Sequence, residues 1–108
     1  AEASSVTLKI RADQVPIIAR AIEYARMGLV PGGAYANRGY AGDRVSVDDN
    51  VPIDIQDVLF DPQTSGGLLI SIRKDKVEDL LRELETTPTK FAVIGEVIEK
   101  QDKYVIVE

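Results

Sequence analysis

The stretch that most constrains this chain is residues 59–72, which run LFDPQTSGGLLISI. An apolar pair leads into Asp61-Pro62, and two hydroxyl residues, two glycines and an apolar run follow. Proline fixes its own φ at about −65° and glycine tolerates φ > 0, so the middle of the stretch predicts a tight turn. Leu68–Ile72 carries apolar residues on both faces, which predicts an interior strand of a sheet.

Two interpretations of this turn compete. Thr64 and Ser65 offer hydroxyl groups, and the N–H groups of Gly66 and Gly67 could face an anion, as in the backbone nests that bind phosphate. The alternative is a turn that feeds a buried strand, where the glycines are needed only for geometry. No lysine follows the glycines and the Walker spacing is absent, so the residues alone favour the second interpretation.

Composition excludes several classes of function. The net charge is −5 and no basic cluster is visible, which argues against binding to nucleic acid or to anionic membrane surfaces. The chain has no cysteine and no histidine, so thiolate nucleophiles, cysteine-based zinc sites and Ser-His-Asp triads are excluded within it. A length of 108 residues suits a single domain.

The hydrophobic pattern predicts an α+β domain, with a mixed sheet and helices packed on its face. Asp13 stands at the N-cap position of a first helix, whose apolar residues recur from Ile18 to Leu29 and which Gly28 ends. Asp75 stands at the same position before a second helix, and Gly95 indicates a bulge or a close backbone approach. Three strand patterns flank these helices, the last two as a hairpin: Val6–Arg11, Phe91–Ile98 and Tyr104–Val107.

A second glycine-rich element, Pro31-Gly32-Gly33, predicts a sharp turn, and Asn37 beyond it either caps a short turn or points into a shared pocket. Residues 38–56 show little periodicity and contain four aspartates. These aspartates lack the spacing of a calcium loop, so a solvated loop is favoured over a metal site.

The run DPQTSGGLL at residues 61–69 resembles the signature of the selenophosphate synthetases, or selenide, water dikinases. The upstream run GLVPGG at residues 28–33, followed by Asn37 and Tyr40, resembles the same enzymes at a matching distance. That family is similar to the aminoimidazole-ribonucleotide synthetase group, in which an N-terminal domain dimerises and binds ATP and a C-terminal α+β domain packs beside it. The resemblance implies that residues 1–108 are one domain, most of the C-terminal domain of a larger two-domain enzyme.

The resemblance implies a cytoplasmic, homodimeric parent enzyme that converts selenide and ATP to selenophosphate, AMP and orthophosphate with Mg²⁺. The family's reactive cysteine or selenocysteine, its nearby lysine and its magnesium-binding aspartates match no position here. We therefore expect the chain to hold no cofactor, to be catalytically silent alone, and to supply a wall or lid beside the missing N-terminal ATP-binding domain. The candidate residues for contact with substrate or phosphate lie in the two glycine-rich elements: Asp61, Thr64, Ser65, Gly66, Gly67, Gly32, Gly33 and Asn37.

The main alternative is a non-enzymatic module of the ferredoxin-like kind, which binds a small ligand or another subunit. Fold does not fix function, so the pattern of helices and strands leaves this alternative open. A portion of a larger protein should expose an apolar patch where the remainder packs.

Overall fold

The computed structural model describes all of residues 1–108 and contains one four-stranded sheet with four α-helices. The strands are β1 (Val6–Ile10), β2 (Val45–Val47), β3 (Gly95–Glu99) and β4 (Val105–Val107). The helices are α1 (Ala21–Arg26), α2 (Gly32–Ala41), α3 (Ile53–Leu59) and α4 (Val77–Leu84). In the sheet order β2-β4-β1-β3, β1 is antiparallel to β3 and parallel to β4, and β4 is parallel to β2. The predicted α+β class with a mixed sheet is therefore confirmed.

Strand β1 lies between two strands that are consecutive in the chain. The connection from β3 to β4 therefore crosses the end of β1 next to Thr7. Thr7 is fully buried, with 0% of its surface exposed. The Thr7 hydroxyl donates to the carbonyl oxygen of Lys103 at 2.5 Å and accepts from the N–H of Gln101 at 2.8 Å. One buried side chain thus fixes both ends of the turn that sets the strand order.

This strand order corrects the predicted hairpin. β4 does not pair with β3; its partners are β1, through Leu8 and Val105 among others, and β2. The continuous apolar run Val105–Val107 is typical of a strand but does not select its partner. The selection comes from the crossing turn and its hydrogen bonds to Thr7.

The apolar core lies on one face of the sheet. Ala12, Val51 and Val107 are buried in it, and the half-buried side chains packed around them come from β1, β2, β4 and α3: Ile10, Val45, Val47, Val105, Ile55 and Leu59. The opposite face is mixed in character: it carries Ile98 and Ile106 beside Thr7 and Lys9, and Lys9 forms an ion pair with Glu108 at 2.9 Å. An antiparallel or mixed sheet with one covered face needs only one helical layer.

The first helix is shorter than predicted. Asp13 lies in a 3₁₀ turn, and α1 begins only after Arg20, whose φ is 73°. Val15 is extended, as expected before Pro16, so no continuous helix runs from Asp13 and Ile18 stays exposed. The predicted end is confirmed, because Gly28 has φ +76° immediately beyond the helix.

The segment between α1 and α3 is more regular than predicted. Gly32 and Gly33 do not form a sharp turn; they open α2 directly after Pro31, and the burial of Ala34 holds that end of the helix. The predicted acidic loop at residues 38–56 instead contains the end of α2, strand β2 and the start of α3. A three-residue strand gains its order from its partner β4, which local periodicity does not reveal.

The predicted interior strand at Leu68–Ile72 is absent, and this segment lies outside the sheet. Both sides of β1 are occupied by β3 and β4, so the interior positions are filled without it. The strand predicted from Phe91 begins only at Gly95. The close approach predicted there is confirmed, since a Cβ on Gly95 would overlap the carbonyl oxygen of Lys9.

Helix α4 buries less than its sequence suggests. Its apolar residues Val77, Leu80, Leu81 and Leu84 are all half-buried. The prediction that Asp75 caps this helix is wrong. The Asp75 carboxylate accepts a hydrogen bond from the Arg73 guanidinium at 2.8 Å, and no side chain caps the start of α4. None of the four helices combines the length and apolar character that crossing a membrane requires.

The crossing turn yields a testable prediction. Thr7→Val keeps the shape of the side chain but leaves the Gln101 N–H and the Lys103 carbonyl without partners, so we expect a loss of about 1–3 kcal/mol in the free energy of unfolding. Urea denaturation measures this loss. Hydrogen exchange at the Gln101 amide should accelerate in Thr7→Val and stay slow in Thr7→Ser, which keeps the hydroxyl. Equal protection of this amide in both variants would contradict the role of Thr7.

Candidate functional site

The two glycine-rich elements lie against each other. A Cβ built on Gly33, in the first turn of α2, would lie 2.7 Å from Cγ and 3.0 Å from Cβ of Pro62. Real side chains do not approach so closely, so only glycine fits at position 33 without displacing the proline ring. Gly33 and Pro62 are 29 positions apart in the sequence, yet the fold brings them into van der Waals contact.

Asn37 makes the second link between the two elements. Its Nδ2 donates to the carbonyl oxygen of Phe60 at 2.9 Å, immediately before Asp61. Asn37 lies in the body of α2 and does not cap a turn, so the local alternative is wrong. The hydrogen bond directs one amide hydrogen of Asn37 to the other motif, and the side chain remains exposed.

An ion pair that the sequence did not reveal supports this contact. Arg38 donates to Asp57 on α3 at 2.9 Å, and its guanidinium carbon lies 5.2 Å from the centre of the Phe60 ring. A second pair joins Arg26 on α1 to Asp54 on α3 at 2.7 Å, and Asp54 is only 7% exposed. α1 and α2 are each tied to α3 by one arginine, and α3 leads directly into the DPQTSGG motif. Sequence separation does not indicate which residues this far apart form ion pairs, so only the opposite charges of these side chains pointed to the two pairs.

The turn after α3 is formed by backbone atoms. The N–H of Asp61 donates to the carbonyl oxygen of Val58 at 3.2 Å, and that of Gln63 donates to the carbonyl oxygen of Asp61 at 2.9 Å. The Asp61 carboxylate makes no hydrogen bond within the chain. Asp61 is half-buried at the start of the loop, and its carboxylate oxygens are free to accept hydrogen bonds.

The remaining candidates form an exposed loop. Thr64, Ser65, Gly66 and Gly67 are solvent-exposed, and neither their hydroxyl nor their N–H groups bond to any other part of the chain. Neither Gly66 nor Gly67 has a positive φ, so the left-handed backbone that glycine allows is not used in this turn. A Cβ on Gly66 would overlap the Gln63 side chain, whereas Gly67 faces open space. The structure thus brings Gly33 and Asn37 against Pro62 and Phe60, the two neighbours of Asp61 in the chain, whereas an added Cβ on Gly32 would meet nothing within 4 Å. The donors of residues 64–67 remain free beyond this contact, which we call the base of the loop.

The residues present do not form a magnesium site. No group of three or more acidic side chains comes together that could hold a metal ion. Of the four aspartates in residues 38–56, Asp54 is paired with Arg26 and Asp48 accepts from Asn50. The structure therefore gives no support to direct coordination of Mg²⁺ by this chain.

A model of the family described as "AIR synthase related protein, C-terminal domain" matches residues 1–108. The chain belongs to this family. It is 44% identical over 108 residues to the selenide, water dikinase of Clostridioides difficile (strain 630), covering 99% of this chain and 31% of that relative. It is 45% identical over 105 residues to the selenide, water dikinase of Treponema denticola, covering 93% of this chain and 29% of that relative. A Clostridium botulinum (strain Eklund 17B / Type B) protein of the same name is 39% identical over 108 residues, covering 100% of this chain. The chain thus spans about 31% of the length of the first of these relatives.

The match to an AIR synthase related C-terminal domain agrees with the α+β fold, and the relatives' names agree with the resemblance seen in the two motifs. The match is confined to about 31% of the length of each of the two clostridial relatives. The contact of Gly33 with Pro62 and the hydrogen bond of Asn37 to Phe60 together hold the two motifs against each other.

The contact between the motifs is testable by a matched pair of substitutions. Gly33→Ala places a methyl group against Pro62, so we expect it to be about 1–3 kcal/mol less stable than Gly32→Ala. Gly32 occupies the same first turn of α2 with nothing within 4 Å of its added Cβ. Both variants gain the same helix propensity, so their difference in unfolding free energy isolates the overlap. Equal stability of the two variants would show that position 33 does not contact Pro62.

Proposed function

We propose that this chain is the C-terminal domain portion of a selenophosphate synthetase, whose full enzyme makes selenophosphate from selenide and ATP and releases AMP and orthophosphate. Support comes from the relatives, which are named selenide, water dikinase. The single structural observation that carries the proposal is the convergence of the GLVPGG and DPQTSGG elements through Gly33, Pro62 and Asn37.

Within the full enzyme, we propose that this surface forms one wall of the phosphate-handling site. Anionic substrates require N–H and hydroxyl donors that are not already bonded within the protein. Thr64, Ser65, Gly66 and Gly67 meet that requirement, because none of their donors has a partner in the chain. The base of Asn37 and Phe60 fixes where the loop leaves the domain. Anion binding by these donors is the proposed role of the loop.

The chemistry itself is proposed to reside on the rest of the enzyme. Phosphoryl transfer requires a positioned nucleophile and, in this family, magnesium to neutralise phosphate charge. This chain has no cysteine or histidine and brings no three acidic side chains together. The missing N-terminal domain is proposed to bind ATP and Mg²⁺ and to mediate a homodimer, as the resemblance implies.

The division of labour predicts that the purified 108-residue chain neither hydrolyses ATP nor makes selenophosphate. Phosphorus NMR on the chain with ATP, Mg²⁺ and selenide should show ATP unchanged after hours. The full enzyme containing this sequence is the positive control. ATP hydrolysis by the chain that is lost on substitution of Asp61 or Thr64 would contradict the prediction.

The role of the loop predicts that Thr64→Val in the full enzyme lowers kcat/KM for ATP-dependent selenophosphate formation by about 10-fold or more. A fold-change of this size corresponds to loss of one hydrogen bond to a charged group. Thr89→Val is the matched control, because the Thr89 hydroxyl is exposed and lies outside both motifs.

Full activity of a folded Thr64→Val enzyme would remove that hydroxyl from the site. The same result is what the alternative, a ferredoxin-like module that binds a small ligand or another subunit, predicts. Thermal unfolding of both variants separates a loss of activity from a loss of fold.

A further inference from the structure

The loop that carries the free donors, residues 64–67, is fixed from one side only. On its C-terminal side, no backbone or side-chain group of residues 64–72 forms a hydrogen bond with another part of the chain. On its N-terminal side, Phe60 and Pro62 both contact α2. The direction in which the loop leaves the domain is therefore set at its base, where these two residues meet α2.

Arg38 on α2 contacts two residues at this base at once. Its Nη2 donates to Oδ1 of Asp57 at 2.9 Å, and its guanidinium carbon lies 5.2 Å from the centre of the Phe60 ring. The side chain of Arg38 is 33% exposed and that of Asp57 is 13% exposed. Reduced access to water strengthens both the ion pair and the cation–π contact relative to a fully exposed site.

The chemistry of arginine suits this double contact. A guanidinium group is planar, so it can donate hydrogen bonds to a carboxylate while it lies over an aromatic ring, whereas a lysine ammonium is a compact point charge. Asp57 balances the charge of Arg38. The arrangement therefore commits Arg38 to holding the Phe60 ring, and the carbonyl oxygen of the same Phe60 is held by Asn37.

The other ion pair of α3 provides an internal comparison. Arg26 on α1 donates to Asp54 at 2.7 Å and lies over no aromatic ring. Asp54 belongs to the first turn of α3, whereas Phe60 directly follows the last residue of this helix. Both arginines thus join a neighbouring helix to α3, but only Arg38 also contacts the residue from which the loop departs.

We propose that Arg38 is a positioning residue for the loop. By holding the Phe60 ring against α2 and α3, it sets the direction of the chain through Pro62 and so places the hydroxyl and N–H donors of residues 64–67 for an anionic substrate. Arg38 acts through Phe60 and does not itself contact substrate. This inference rests on the anion-binding role proposed above for the loop.

Backbone dynamics of the 108-residue chain test the positioning without reference to activity. Nitrogen-15 relaxation gives order parameters of about 0.85 for rigid backbone and below about 0.6 for flexible backbone. Arg38→Lys keeps the positive charge but loses the planar contact with Phe60, so the order parameters of the Asp61 and Gln63 amides should fall toward about 0.6. Arg26→Lys makes the same change in the other ion pair and should leave them at the parent values. Unchanged values in Arg38→Lys, or an equal fall in Arg26→Lys, would overturn the proposal.

A double-mutant cycle in the full enzyme tests the consequence for the site. Thr64→Val is expected to lower kcat/KM by about tenfold in the parent enzyme. In the Arg38→Lys enzyme the Thr64 hydroxyl is already displaced, so the same substitution should lower kcat/KM by only about threefold or less. In the Arg26→Lys enzyme it should keep its tenfold effect. A merely structural role of Arg38 would reduce the amount of folded enzyme and leave the factor for Thr64→Val unchanged.

The same factors separate failure of this inference from failure of the proposed function. A tenfold effect of Thr64→Val in both the parent and the Arg38→Lys enzyme would overturn the positioning role while the role of the loop stands. No effect of Thr64→Val in the parent enzyme would refute the anion-binding role of the loop, and this inference with it.

Discussion

The architecture depends on how the chain crosses β1 between its last two strands. The turn from β3 to β4 is short, and its two hydrogen bonds to the buried Thr7 hydroxyl fix where it crosses. β4 is thereby placed between β1 and β2, and Val107 enters the core. Gly95 allows β3 to approach β1 closely on the other side. Strand β1 is then paired on both sides, and the apolar face of the completed sheet is covered by α3.

The candidate site follows from how that face is covered. α3 packs on it through Ile55 and Leu59, and the helix ends where the DPQTSGG motif begins. Two arginines, Arg26 and Arg38, tie α1 and α2 to the nearly buried carboxylates of α3. Separating the helices would leave these carboxylates without a partner and with little access to water, which is unfavourable. The two ion pairs therefore favour the observed packing of α1 and α2 on α3. The first turn of α2 can then accept the Pro62 ring, and the base of the loop is ordered while its polar tip stays free.

Local pattern predicted the elements whose order is set locally. The alternation of Val6–Arg11 gave β1, and Gly28 and Gly95 were placed correctly because their backbone geometry tolerates few other residues. Predictions failed where partner choice decides the outcome. Leu68–Ile72 has the composition of an interior strand, but the sheet fills without it, and the periodicity of a segment carries no information on that competition. The family resemblance placed the candidate residues in both glycine-rich elements, but the contacts that support their meeting, Asn37 with Phe60 and Arg38 with Asp57, were not predicted.

The central claim is that two motifs distant in sequence form one surface, with Gly33 against Pro62. A nuclear Overhauser effect between the Gly33 α-protons and the Pro62 ring protons in the isotope-labelled 108-residue chain tests it most directly. The structure predicts a strong cross-peak, because a Cβ at position 33 would lie 2.7 Å from Pro62 Cγ. A well-folded chain with complete assignments and no such cross-peak would contradict the account.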